Sequence, residues 1–120
     1  MAQYLLTLTK KQIKDLEKIY EDMEHSRHNY QLFSEYDTSF HMYLIGCSNN
    51  RILQLFMCTL YNMTRKNIIV DSPEPDTVIT ESQIDHKEII EAIKSKDSKR
   101  LNHTLLRHIN PLRDFYKDNA

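Results

Sequence analysis

Asp37 and His41 stand four residues apart in the stretch Tyr36-Asp37-Thr38-Ser39-Phe40-His41. At 3.6 residues per turn this spacing stacks their side chains on one face of a helix. Phe33, Phe40 and Leu44 fall on the same stripe, so a helical reading points the carboxylate and the imidazole into the apolar interior. A buried charge requires a partner. The chain offers six histidines, and direction sorts them. His86 lies between Ile89, Ile90 and Ile93 in the middle of its apolar stripe, and His108 lies within the run Leu101, Leu105, Leu112 and Phe115. His25 and His103 fall on the opposite sides of their helices, and His28 falls in a turn. Three helices thus direct Asp37 with His41, His86 and His108 inward. One aspartate and three imidazoles form a mixed oxygen and nitrogen set suited to zinc first, and also to nickel, manganese or iron.

A histidine on an apolar stripe is also compatible with plain packing, its ring hydrogen-bonded to a backbone carbonyl or to one of the seven tyrosines. Asp and His at i and i+4 can likewise form a simple helix-face pair. Agreement among three separate segments favours a shared site, but spacing alone leaves both readings open.

These side chains need a helical scaffold, and composition supplies one. A chain of 120 residues makes one domain with a core of its own. One glycine and three prolines leave few places to turn. With 16 basic and 17 acidic residues the net charge is −1, which gives no general attraction to nucleic acid. Cys47 and Cys58 sit among apolar neighbours and read as reduced core residues of a cytoplasmic protein. There is no signal-peptide pattern and no apolar run long enough to span a bilayer.

Thr9 with Gln12 fits a capping box, and Ile13, Leu16, Ile19, Tyr20 and Met23 then recur at helical spacing. A polar turn at 26–29 leads to a helix over 33–45 that stops at Gly46, the only glycine. Ser48, Asn49 and Asn50 offer caps for a third helix over 51–70, which carries Cys58, Tyr61 and Arg65. A proline-containing loop occupies 71–77. Thr80 with Gln83 repeats the capping-box spacing and is expected to open a helix ending near Ser95. Asp97 is placed to cap the last helix, which Pro111 should kink or end.

Taken in order, Asp37-x-x-x-His41 with Phe40, Ser48-Asn49-Asn50, Asp85-His86 followed by Ile89, Ala92-Ile93 and Asp97, and Arg107-His108 resemble the C-terminal ligand-binding (FCD) domain of FadR-type GntR transcription regulators. The resemblance covers about residues 9–116. It implies an all-α, antiparallel helical bundle with a central metal and effector cavity. Asp37, His41, His86 and His108 are the implied ligands of a divalent metal. Arg65 matches a position where relatives often carry a cavity arginine, suited to a carboxylate. Asp85 departs from the glutamate more usual there. The resemblance further implies a small carboxylate effector, a homodimer, and a winged helix-turn-helix domain ahead of this one. On that basis residues 1–8 read as the remnant of a truncated first helix and 9–120 as the effector-binding and dimerisation domain. DNA would then be reached only through the missing N-terminal domain.

The expected function is effector sensing by a metal-dependent module of a transcription regulator rather than catalysis. A small helical metalloenzyme is the alternative from another class, since a metal with open positions can activate water. No glutamate, serine or cysteine is expected on the inward faces to serve it. A metal-free helical interaction domain is the third reading.

Overall fold

The computed structural model describes residues 3–47 and 69–105. Arg65, His108, Cys58, Pro111 and the body of the expected third helix lie outside the described residues. The rest is helical: a short 3-10 helix at Gln3–Thr7, then α1 (Lys10–Glu24), α2 (Tyr30–Gly46) and α3 (Pro75–Ser95). Helical backbone also covers 69–70 and 98–105, and there is no strand among the described residues. No helix there is long and apolar enough to cross a membrane.

The start of α1 follows directly from its sequence. Thr9 accepts the backbone N–H of Gln12, and Gln12 returns a bond to the backbone of Thr9, so two otherwise unsatisfied donors are closed reciprocally. Leu16 and Met23 are fully buried, with Ile13, Ile19 and Tyr20 packed beside them. Asn29 caps α2 through the N–H of Leu32. The helix ends at Gly46 as expected, but not by a left-handed glycine: no glycine has positive φ, and Cys47 caps in the right-handed region.

The third helix starts earlier than its capping-box pattern suggests. It opens at Pro75, where the missing N–H costs nothing and the fixed φ suits the first turn. The connecting loop is therefore shorter than 71–77. Thr80 lies inside α3, and Gln83 is buried rather than reaching back to a cap. At the other end Lys96 adopts φ 55°, the one positive φ among described non-glycine residues, and Asp97 donates back to the carbonyl of Ala92. This closes the exposed carbonyls of α3 in the Schellman manner. Asp97 then caps the next helical stretch by accepting the N–H of Arg100. Arg100 also reaches back to pair with Glu88, clasping that stretch to α3.

Directions follow from cross-helix pairs. Tyr43 donates to Asp15 at 2.8 Å, and Gln12 meets the Cys47 thiol at 3.8 Å, so α1 and α2 run antiparallel. Lys94 pairs with Glu17, while Arg27, just past α1, reaches Thr80. α1 and α3 are therefore antiparallel as well. By subtraction α2 and α3 run parallel, and the pairs Tyr30–Asp76 and His41–His86 advance together along both. The centre is built from Leu16, Met23, Phe33, Phe40, Leu44, Ile79, Ile89, Ile93 and Leu101, each at most 4 % exposed. α1 packs closely on both other helices, and α2 meets α3 through His41 and Phe40 against His86.

Candidate metal centre

α2 buries Phe33, Phe40 and Leu44 together with Asp37 and His41, and also Ser34, contrary to the expectation of no serine on the inward faces. The polar residues are inward because they share the apolar stripe's period, and their burial is nearly complete: Asp37 is 0 % exposed and His41 6 %. From α3, His86 enters the same region at 0 % exposure, flanked by Ile79, Ile89, Ile90 and Ile93. Among the five described histidines the expectation that direction separates them holds: His41 and His86 are buried, and His25, His28 and His103 are exposed.

The three inward groups meet. His41 Nε2 lies 3.0 Å from His86 Nε2, and Asp37 Oδ1 lies 3.4 Å from the first and 3.2 Å from the second. Phe40 closes one side of the cluster, its ring centre 4.5 Å from that of His86 and 5.5 Å from that of His41. Phe40 thus packs against both imidazoles.

The donor set fits a divalent cation. Metal bonds of about 2.0–2.2 Å to nitrogen and oxygen place neighbouring ligand atoms roughly 3.0–3.5 Å apart, which covers the 3.0, 3.2 and 3.4 Å edges of this trio. Asp37, His41 and His86 form a group able to hold a metal ion among the described residues. The carboxylate offsets charge, and each imidazole offers a lone pair. His108 and Arg65, the remaining expected site residues, fall outside the described residues.

A family model for the FCD domain matches residues 2–111. The chain belongs to the FCD family. FCD domains are the C-terminal, effector-binding domains of GntR/FadR-type transcription regulators, and this one has a regulatory rather than a catalytic family background. Neither the curated proteins nor the solved structures yield a match.

One residue of this FCD domain escaped the reading of its sequence. Gln83, expected at a helix start, is 1 % exposed, and its side-chain oxygen lies 2.9 Å from Nδ1 of His86. The signal was present in the spacing: a glutamine three residues before an inward histidine shares its face one turn earlier. Gln83 also acts on Glu24 of α1. Burial pushes the Glu24 carboxyl up, but hydrogen bonding from Arg27, Gln83 and Tyr20 and the charge of Arg27 hold it below the usual carboxylate range. Asp85, beside His86, is buried at 8 % exposure on the same helix.

Proposed function

We propose that this FCD domain senses a small organic acid through a divalent metal held by Asp37, His41 and His86, with His108 as the fourth ligand. The observation that carries this reading is the convergence of Asp37 Oδ1, His41 Nε2 and His86 Nε2 within 3.4 Å of one another on buried side chains. Three lone-pair atoms facing one point, each on a buried side chain, are best reconciled by a cation. Zinc is the first choice for this set, with nickel, manganese or iron as substitutes.

The metal supplies, when bound, open coordination positions for a carboxylate oxygen. The protein residues do the rest. Asp37 and His41 hold their positions from one rigid helix, and His86 ties α3 to that helix. Phe40 packs against the imidazoles. Arg65 pairs with the effector's negative charge. Effector binding thereby joins α2, α3 and the Arg65 and His108 segments. In a homodimer carrying winged-helix domains, this controls DNA affinity.

Metal content tests the reading. Protein purified without chelator or histidine tag should carry about one equivalent of a transition metal, measured by elemental mass spectrometry, and His86→Ala should lose it. No metal in the parent, even after incubation with zinc or nickel, would leave the histidines as packing groups. Saturable binding of organic acids without turnover separates sensing from the metalloenzyme alternative.

A further inference from the structure

We propose that Gln83 is a positioning residue of this metal centre: its side-chain oxygen selects the tautomer and orientation of His86, and Glu24 selects which end of the Gln83 amide faces the imidazole. The inference rests on the metal reading above and deepens it.

An amide oxygen only accepts hydrogen bonds, so the atom 2.9 Å away, His86 Nδ1, carries the proton. In a neutral ring the lone pair is then on Nε2. That is the atom 3.0 Å from His41 Nε2 and 3.2 Å from Asp37 Oδ1. Turning the Gln83 amide over would present N–H groups to Nδ1, move the ring proton to Nε2 and aim it into the ligand cluster, closing the site to a cation. The orientation of one buried amide therefore decides whether His86 can ligate.

Glu24 decides the orientation. Arg27 grips the Glu24 carboxylate through two nitrogens, and the Tyr20 hydroxyl donates to it at 3.2 Å. The Gln83 amide nitrogen is fully buried and makes no hydrogen bond of ordinary geometry, yet it is among the groups that stabilise ionised Glu24. An anion on this side favours the N–H end and repels the carbonyl end. The carbonyl is thereby directed at His86. A relay runs from Arg27 and Tyr20 through Glu24 and Gln83 to His86, linking the last turn of α1 to the ligand face of α3. Partners outside the ligand set commonly change metal affinity by roughly 10- to 100-fold.

The test combines nitrogen-15 NMR of the His86 ring in chelator-treated protein with zinc affinity by competition against a chromophoric chelator. Parent, His86→Ala, Gln83→Met and the charge-swapped double variant Glu24→Gln/Gln83→Glu are compared. The parent should show the Nδ1–H tautomer at His86. Gln83→Met should lose that preference and bind zinc roughly 10- to 100-fold more weakly. The double variant restores an acceptor facing Nδ1 and a donor facing it from position 24, and should recover most of the affinity. Zinc binding by Gln83→Met equal to the parent's, or an Nε2–H tautomer in the metal-free parent, overturns the inference while leaving the metal centre standing. No zinc binding by the parent overturns the metal reading and the inference with it. Should Gln83→Met fail to fold, the parent's tautomer and the double variant's affinity decide.

Discussion

His41 and His86 come from two helices and are 45 residues apart in the chain, yet their Nε2 atoms lie 3.0 Å from each other with Asp37 Oδ1 beside both. A ligand that joins them binds the folded chain and not the unfolded one. At a free zinc concentration of 100 times Kd the native state should gain about 2.7 kcal/mol by mass action. Thermal melts with zinc and with chelator should differ accordingly, and Asp37→Asn or His86→Ala should abolish the difference. Equal melts for the parent in both conditions would count against a shared ligand.

The same cluster predicts an acid limit. Imidazole must be neutral to ligate, so zinc affinity should fall progressively as pH drops below about 6.5. Competition titrations between pH 5 and 8 measure this. A flat profile would remove histidine ligation from the account.

At the alkaline end the relevant group is Tyr43. Burial first, and then its hydrogen bond to Asp15, push its hydroxyl up to about 12 from an ordinary value of 10.0. The folded state thus favours the protonated phenol. Its contribution is complete below pH 10 and is lost as pH rises toward 12, because the unfolded chain ionises first. Urea denaturation of the parent across that range should show the decline, and Tyr43→Phe should flatten it. A parent and variant that decline in parallel would place the cause elsewhere.

Lys96 carries a conformation that suits glycine. Its φ of 55° sets the side chain against the backbone, a left-handed cost of roughly 1–2 kcal/mol, part of which glycine returns through its freer unfolded chain. Lys96→Gly should stabilise the domain by about 0.5–1 kcal/mol in equilibrium unfolding. A destabilised variant would mean that the lysine side chain contributes more than its backbone costs.

The helices were legible where local chemistry and periodicity agreed. The Thr9–Gln12 capping box, the Leu16 and Met23 stripe, the Asp97 cap and the inward turn of Asp37, His41 and His86 are all read from spacing and all found in the fold. The start of α3 was not, because two signals compete there: the Thr80–Gln83 spacing imitates a cap, while Pro75 initiates a helix that swallows it. Gln83 was misplaced for the same reason, since its role depends on Glu24, a residue of another helix. Lys96 gives no warning in sequence, as lysine is an uncommon choice for a left-handed cap. Parallel running of α2 and α3 depends on what joins them, and periodicity within either helix carries no such information.

Placing Asp37 and His41 one turn apart on α2 has an entropic consequence. Two of the three donors are brought together by local helix formation, so assembling the trio requires closing a single loop, the separation of 45 residues from His41 to His86. Such a closure carries a length-dependent cost of about 3 kcal/mol, and a third donor from a separate segment would have added another of the same order. The chain thus makes a three-membered site for little more than the topological cost of joining two points.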